Sequence, residues 1–356
     1  MNKKQKVDNV KVSFLGSDYS FTCVAAKNFF SKISSAIHYE ASPTCVSIFD
    51  DVCSGRIDYG VVPMESSNHG SMHVVFDQLL KHCEGVTIIG EVVEREQHCL
   101  CTKATTSDVS IARIMSHPVI IEDCSEFLDA LDRKRSRLSL ERIERDSTCD
   151  SAAACKLLLS TADGSGDAVI CTRQAAAFYG LNVISESIGN DRNSETRYAI
   201  IAKASRSTGI SPTLEVIDPL YIGPESTTAR QDDVKKATVV LSVKNTPGSM
   251  FRMISCFALR DINILKIESR PASTACRLAI PGLSAAGGSA FAHWDLLFFV
   301  DFTPSEREIV NEALQRNLEE CCTWTRSLGR YTQHGNSHTV TEPSDWSNMI
   351  DILATA

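Results

Sequence analysis

Small hydroxyl side chains recur where short apolar runs give way to amphipathic segments. A helix N-terminus has unpaired N–H groups and a partial positive charge, so a hydroxyl there can cap the helix or help it bind an anion. Capping alone explains a serine at one such junction, but three junctions in one region favour a cleft for a carboxylate or a phosphate. The junctions carry Ser17 and Ser20, then Ser66, Ser67 and Ser71, then Ser147, Thr148 and Ser151.

A nucleotide is disfavoured as the ligand of such a cleft. No glycine pattern of the dinucleotide-binding or P-loop kind accompanies the junctions, and phosphates of nucleotides are usually held by such loops.

A second polar segment, 190–198, leads directly into the apolar run 199–202. A residue at a strand end beside a loop can project into a cleft with little freedom, which suits a hydrogen-bond donor. A solvated turn would have the same composition, so this segment alone leaves both interpretations open.

The elements that must position these residues follow an α/β pattern. From residue 12 to residue 204, β-type runs alternate with amphipathic segments, which is typical of a mostly parallel sheet covered by helices. The clearest helix lies within 72–83, where apolar residues recur at helical spacing. From 237 to 327 the predicted order is strand, helix, strand, strand, helix, strand, a ferredoxin-like arrangement.

Composition and charge exclude several classes of protein. Acidic and basic residues, 44 against 36, are mixed along the chain and give a net charge of −8, which argues against a nucleic-acid partner and against an anionic membrane surface. The fourteen cysteines form no C-x-x-C pair and no zinc-like spacing with histidine, so reduced thiols and no metal are expected. No export signal or membrane span is evident, and a cytoplasmic location is expected.

Several motifs resemble those of prephenate dehydratases. Residues 59–71 read Y-G-V-V-P-M-E-S-S-N-H-G-S, similar to the family stretch D-Y-G-V-V-P-I-E-N-S-x-x-G, and 196–198 resemble its T-R-F signature. Residues 16–21 resemble G-P-x-G-T-F, and 116–118 with Cys124 resemble S-H-P…Q-C. This chain departs from the family at Tyr19 (glycine), Ser20 (threonine), Ser66 (asparagine), Ser194 (asparagine) and Tyr198 (phenylalanine).

The C-terminal region resembles the ACT regulatory domain of these enzymes. Residues 245–250 are similar to N-x-P-G-A-L, and 267–271 agree with I-E-S-R-P. The resemblance runs in order from about residue 12 to residue 331, and this collinearity is much more specific than any one motif.

The resemblance implies a chemistry that needs neither a cofactor nor a metal. Members of the family convert prephenate to phenylpyruvate, or arogenate to phenylalanine, by losing carbon dioxide and the ring hydroxyl together. By similarity, the catalytic residues are Thr196 as the donor beside that hydroxyl, Arg197 as its orienting partner or as a carboxylate ligand, and Glu65. A threonine hydroxyl is a very weak acid, so Thr196 would polarise the leaving group or relay a proton from water. The expected substrate-binding residues are Ser20, Ser66, Ser67, Ser147, Thr148 and Tyr198.

The resemblance also implies a domain organisation. The catalytic region, 10–204, would have two lobes like a periplasmic binding protein, the first at about 10–90 plus 185–204 and the second at about 91–184. A linker at 205–235 would lead to an ACT domain at 236–332 and a polar tail at 333–356, and 272–293 would form an insertion of small residues in the ACT domain.

Regulation is expected at the ACT domain. Phenylalanine would bind between two such domains in a homodimer or homotetramer. The expected effector-binding residues are Pro247, Gly248, Ser249, Met250, Glu268, Ser269, Arg270 and Pro271.

Three alternatives remain at this stage. Arogenate rather than prephenate is the substrate in one of them, and no residue identified here decides between the two. In the second, departures such as Tyr19, Ser66 and Ser194 mark a non-catalytic amino-acid-sensing protein. A plain ligand-binding protein of periplasmic type is disfavoured by the ACT-like motifs. A plastid location would require a presequence that has been removed.

Overall fold

A computed structural model describes residues 10–31, 36–103, 110–162, 166–204, 234–243, 246–271 and 296–335, together with Trp346, Ile350 and Leu353. The expected linker lies outside these ranges except for its last two residues, and the expected insertion at 272–293 lies outside them entirely.

The first lobe is built on one sheet with helices on both faces. Strands β1 and β2 are parallel, β1 and β3 are parallel, and β11 lies antiparallel between β3 and β5. Helix α1 covers one face, while α2 and α3 cover the other. The elements are β1 (Val10–Leu15), α1 (Phe21–Phe30), β2 (Ile37–Ser42), α2 (Cys45–Ser54), β3 (Tyr59–Ser66), β4 (Gly70–Ser71), α3 (His73–Lys81), β5 (Val86–Arg95) and β11 (Glu195–Lys203).

The second lobe has its own five-stranded sheet in the order β10-β6-β9-β7-β8. Its elements are β6 (Cys99–Thr102), β7 (Arg113–Ser116), α4 (Pro118–Asp123), α5 (Ser125–Arg137), β8 (Glu144–Ser147), α6 (Ser151–Ser160), β9 (Asp167–Cys171), α7 (Arg173–Tyr179) and β10 (Asn182–Ser185). The chain crosses between the two sheets at 96–98 and again at 186–194. The two-lobed fold expected from the sequence is confirmed.

The C-terminal domain has the predicted ferredoxin-like topology. Its sheet order, β13-β14-β12-β15, places the first strand in the middle, as the βαββαβ fold requires. The elements are β12 (Val234–Ser242), α8 (Ser249–Ala258), β13 (Ile264–Pro271), β14 (Leu296–Phe302), α9 (Glu308–Cys321) and β15 (Trp324–Gly335).

Strand β15 is longer than the sequence suggests and joins two domains. It continues past Ser327, and residues 332–335 pair in parallel with 90–93 of β5. The sheet of the first lobe and that of the C-terminal domain are therefore continuous. At Gly329 the strands approach so closely that a Cβ atom would lie 2.0 Å from the Ile88 carbonyl oxygen, so only glycine fits there.

Part of the expected polar tail packs against the second lobe. Trp346 makes an edge contact with Phe127 at 5.6 Å between ring centroids, and its Nε1 donates to the Ser187 carbonyl at 3.3 Å. Leu353 is buried in the same core. The sequence predicts only a polar tail that ends in one weakly amphipathic turn. Residues 346, 350 and 353 have the spacing of one helix face, but the polar residues around them gave no sign of what that face contacts.

In the part of the chain that the structure describes, no helix is both long and apolar enough to cross a membrane. The thirteen cysteines in that part are all free thiols.

Candidate active site

A cavity of 700 Å³ lies between the two lobes of the catalytic region. The first lobe contributes the start of α1, the β3–α3 connection and the beginning of β11. The second lobe contributes the starts of α4 and α6. Its wall includes Gly16, Ser17, Asp18, Ser20, Phe21, Ser42, Pro63, Ser66, His69, Glu96, His117, Val119, Asp123, Asp150, Ser151, Lys156, Thr196 and Tyr198.

Two ten-residue helices begin at this cavity. The Ser20 hydroxyl caps α1 by accepting from the Cys23 N–H at 3.3 Å, and Asp150 caps α6 by accepting from the Ala153 N–H at 2.7 Å. The positive end of α1 and the ammonium of Lys156 favour a ligand that carries a carboxylate, whereas the positive end of α6 is met by the Asp150 carboxylate. The junctions singled out in the sequence thus meet at one site.

Thr196 lies at the beginning of β11 with its side chain at the cavity. It is 2% exposed, and its hydroxyl donates a hydrogen bond to Glu96 Oε1 at 2.7 Å. Ser66 lies directly across the β3–β11 pair, and Tyr198 follows on the same face of β11. The structure therefore brings Thr196, Ser66, Tyr198 and Ser20 together around one space.

Arg197 and Glu65 point away from that space, which differs from their expected positions. Successive side chains of a strand alternate between its faces, so Arg197 projects toward the C-terminal domain. Its Nη1 lies 2.7 Å from Asp301 Oδ2 and 3.2 Å from Glu91 Oε2, and its Nη2 lies 3.4 Å from Glu65 Oε2.

The charges around Arg197 are buried and mutually compensating. Burial raises the pKa of Glu91. Burial alone would lower the pKa of Arg197, but the carboxylates of Asp301 and Glu91 raise it above its usual value. Lys236 completes the group, with its Nζ 2.8 Å from Glu91 Oε1. This network joins β5 and β11 to β12 and β14.

Three other expected substrate ligands lie off the cavity wall. Ser67 is exposed in the connection from β3 to β4, and its hydroxyl accepts from the Glu195 N–H of β11 at 3.0 Å. Ser147 is exposed, and the Thr148 hydroxyl donates to the Asp150 carbonyl at 2.9 Å. The next residues along the chain, from Cys149 to Ser151, line the cavity instead.

Sequence reasoning missed a polar cluster beside Thr196. Asp123 Oδ1 accepts from Asn68 Nδ2 at 3.1 Å and lies 2.9 Å from His69 Nε2. Burial raises the pKa of Glu96 and lowers that of His98 to about 4. These residues belong to different segments, and only Asn68 and His69 lie inside a recognised motif.

Three side chains of the cluster bring possible ligand atoms close together. Among the described residues, Glu96, His98 and Asp123 form the one group whose possible ligand atoms lie within 4.8 Å of one another. The carboxylates of Glu96 and Asp123 already accept hydrogen bonds from Thr196 and Asn68. Both ring nitrogens of His98 and the second carboxylate oxygen of Asp123 are buried without a hydrogen-bond partner among the described residues.

Two contacts tie the lobes together across the cavity mouth. The Tyr19 ring stacks on Phe178 at 4.2 Å between centroids, although Tyr19 has a φ of 64° where the resembling family has glycine. Asp150 Oδ2 also accepts hydrogen bonds from the Ser17 N–H at 3.1 Å and the Ser17 hydroxyl at 2.9 Å.

The two expected effector segments lie at the same end of the strands of the C-terminal sheet. Ser242 of β12 and Arg270 of β13 both align with Leu297 of β14, which lies between them. Segments 246–250 and 268–271 are therefore at the same end of the strands. Ser249 is buried, and the other members of 246–250 are exposed.

The charged side chains of the second effector segment contact the catalytic region. Glu268 Oε2 accepts from the Ser71 hydroxyl at 2.6 Å, and Arg270 Nη2 donates to both carboxylate oxygens of Asp77 at 3.0 and 2.9 Å. Lys266, two residues earlier, pairs with Glu65.

Comparison with known proteins identifies the family. The family model for prephenate dehydratase matches residues 12–206. The Arabidopsis thaliana protein named arogenate dehydratase/prephenate dehydratase 2, chloroplastic, is 30% identical over 300 residues, which cover 82% of this chain and 68% of that protein. The bifunctional chorismate mutase/prephenate dehydratase of Pseudomonas aeruginosa is 27% identical over 323 residues, covering 90% and 73%.

A solved structure shares the fold over nearly the whole chain. Prephenate dehydratase of Arthrobacter aurescens in complex with L-Phe superposes with a TM-score of 0.67 at 21% identity, covering 90% of this chain and 89% of that one. With the family match over more than half of its length, this chain belongs to the prephenate dehydratase family.

Proposed function

We propose that this protein catalyses the decarboxylating dehydration of prephenate or of its amino analogue, arogenate. The observation that carries the proposal is the buried Thr196 hydroxyl in a cavity where the positive ends of α1 and α6 meet. The ring carboxylate leaves as carbon dioxide, and its bonding electrons complete the aromatic ring. The electrons of the ring C–O bond depart with the hydroxyl, which takes up a proton and becomes water.

In this reaction the protein mainly orients and desolvates the substrate. Aromatisation supplies the driving force, so the cavity must hold the ring, exclude water from the departing carboxylate and direct a donor at the ring oxygen. We assign the donor role to Thr196. Ser20, Ser66 and Tyr198 would contact the substrate beside it. Arg197 and Glu65 would act indirectly, by fixing the strands that carry Thr196 and Ser66.

One observation favours arogenate as the better substrate. Asp18, Asp123 and Asp150 line the cavity against one lysine, Lys156. Arogenate carries an ammonium group where prephenate carries a keto group, so an acidic wall would attract arogenate and repel a more negative ligand.

Purified protein given each substrate in turn tests the reaction and the preference. We expect phenylalanine or phenylpyruvate to form, with the larger kcat/KM for arogenate. Thr196→Val should lower kcat by roughly 10²–10³, as removal of one positioned donor commonly does. Thr102→Val is the matched control, since that buried hydroxyl donates to the Asp167 carbonyl away from the cavity.

Two results would count against the proposal. Wild-type turnover in Thr196→Val would remove Thr196 from the mechanism. Binding of phenylalanine without turnover of either substrate would support the amino-acid-sensing alternative.

For regulation, we propose that phenylalanine binds beside 247–250 and 268–271, at one end of the C-terminal sheet, in a homodimer or homotetramer. The position of the two segments at the same end of the strands supports this, as does the L-Phe complex of the Arthrobacter protein. We also propose the domain limits expected from the sequence, except that residues 333–335 belong to β15 of the C-terminal domain. In the tail, Trp346 and Leu353 contact the second lobe.

Calorimetric titration with phenylalanine tests the effector site. Ser269→Trp should abolish phenylalanine binding by filling the proposed effector site. Leu259→Trp should not, because Leu259 is exposed at the other end of α8. Equal phenylalanine binding by both variants would show that the effector site lies elsewhere. Light scattering would show a single monomer mass if the oligomer proposal is wrong.

A further inference from the structure

The proposed reaction leaves the Thr196 hydroxyl in need of a proton source. An alcohol is far too weak an acid to protonate a leaving hydroxide unaided, because general acids work best when their pKa lies near the working pH. The group that supplies the proton must therefore touch Thr196.

Glu96 is in direct contact with Thr196 and with the cavity. Its Oε1 lies 2.7 Å from Thr196 Oγ1, and its side chain forms part of the cavity wall. Its backbone is also fixed, since the Glu96 N–H donates to the Ser194 carbonyl at 2.9 Å in the crossing between the lobes. The carboxyl group is thus held against Thr196 by the two segments that cross between the lobes.

We propose that Glu96 is the proton source for Thr196, and that the two side chains form a relay to the departing ring oxygen. The inference rests on the proposed function. The protonated Glu96 carboxyl donates to Thr196 Oγ1 as the Thr196 hydroxyl proton passes to the leaving oxygen. One C–O bond and one C–C bond of the substrate break, water and carbon dioxide are released, and Glu96 is left as the carboxylate. It regains a proton from solvent after the product leaves.

The surroundings of Glu96 suit this role. Burial raises its pKa, the hydrogen bond from Thr196 lowers it, and the nearby Asp123 carboxylate raises it again, with a net upward shift. A proton is therefore retained at a pH where an ordinary glutamate has lost it. The other titratable groups that face this carboxyl are Asp123, His69, His98, Cys124 and Tyr198.

The pH dependence of kcat/KM follows from the protonated state. The relay is complete below the pKa of Glu96, and the rate should fall as pH rises through that value. Glu96→Gln keeps the shape but has no acidic proton, so we expect kcat to drop by roughly 10²–10⁴ and the residual rate to lose this alkaline fall.

Glu94→Gln is the matched control. Glu94 lies two residues earlier, burial also raises its pKa, and it accepts a hydrogen bond from Asn28 rather than from a cavity residue. We expect this variant to keep both the wild-type rate and the wild-type pH profile. In Glu96→Ala, added formate or acetate should restore part of the activity in proportion to its protonated fraction.

The outcomes separate the relay from the reaction. The relay is overturned, and the dehydratase proposal stands, if Glu96→Gln keeps the wild-type kcat and pH profile. The same holds if kcat/KM of the wild type does not fall as pH rises above the ordinary titration range of a glutamate. The wild-type profile needs no variant to fold. Absence of turnover of either substrate by the wild type overturns both.

Discussion

Replacing Arg197 by methionine should destabilise the protein far more than removing any exposed arginine. Methionine keeps most of the side-chain length but removes the charge that faces Glu91 and Asp301. The side chains of those two acids are only 3% and 4% exposed, so water cannot replace the lost guanidinium. Truncating one partner of a buried ion pair commonly costs about 3–5 kcal/mol, because the other charge is left unpaired.

Arg270→Met provides the control for this change. Arg270 makes a bidentate contact with Asp77, but the Asp77 side chain is 44% exposed. Exposed pairs are screened by solvent, so this variant should lose roughly 0–1 kcal/mol. Both variants remove one contact between the catalytic region and the C-terminal domain, but Arg197 is more deeply buried and also pairs with Glu91 and Glu65.

The assay is urea unfolding followed by circular dichroism, at two pH values. Burial raises the folded-state pKa of Glu91 above its usual 4.5, and loss of Arg197 raises it further. A carboxyl whose folded pKa is raised contributes stability that is lost as pH rises from 4.5 through the folded value. The penalty of Arg197→Met should therefore be larger at pH 8 than at pH 5.

Two results would refute this reasoning. The first is a loss below 1 kcal/mol in Arg197→Met, equal to that of Arg270→Met. The second is a penalty that does not change with pH. In addition, Asp301→Asn combined with Arg197→Met should cost less than the sum of the two single changes, because the unpaired charge is then removed.

Three further changes test other parts of the structure. Gly329→Ala should lower the melting temperature much more than Gly180→Ala, since both glycines have positive φ but a Cβ has open space only at Gly180; equal losses would contradict the close approach of β15 to β5. Tyr19→Gly should relieve about 1–2 kcal/mol of left-handed backbone strain but lose about 0.5–1.5 kcal/mol from the ring contact with Phe178. The free energy of unfolding should therefore change little, while KM rises. An unchanged KM would show that this contact does not hold the cavity closed. Leu353→Ala should cost about 2–5 kcal/mol in thermal unfolding, and an unchanged transition would mean that the tail does not pack on the second lobe.

Local periodicity was a good guide to single elements of the fold. The helical spacing within 72–83 corresponds to α3 at His73–Lys81, and the order of elements from 237 onward corresponds to the ferredoxin-like domain. The pairing of β15 with β5 was not predictable, because a parallel contact between segments about 240 residues apart leaves no local pattern.

The candidate site shows the same division. Motifs brought out Thr196 and Ser66, which lie opposite each other across β3 and β11. Because side chains alternate between the two faces of a strand, the motif itself predicts that Arg197 and Thr196 point to opposite faces of β11. Glu96 lies in no motif, and its contact with Thr196 arises only because the chain crosses between the lobes at that point.

The continuous sheet has a mechanical consequence. Strand β5 is hydrogen-bonded to β15 on one side and to β11, which begins with the residues around Thr196, on the other. Backbone hydrogen bonds resist shear, so a rigid-body tilt of the C-terminal domain would be transmitted as torsion across a single intervening strand. Such a tilt would start two strand spacings, or roughly 10 Å, from the proposed reacting centre, with no loop between them along this route.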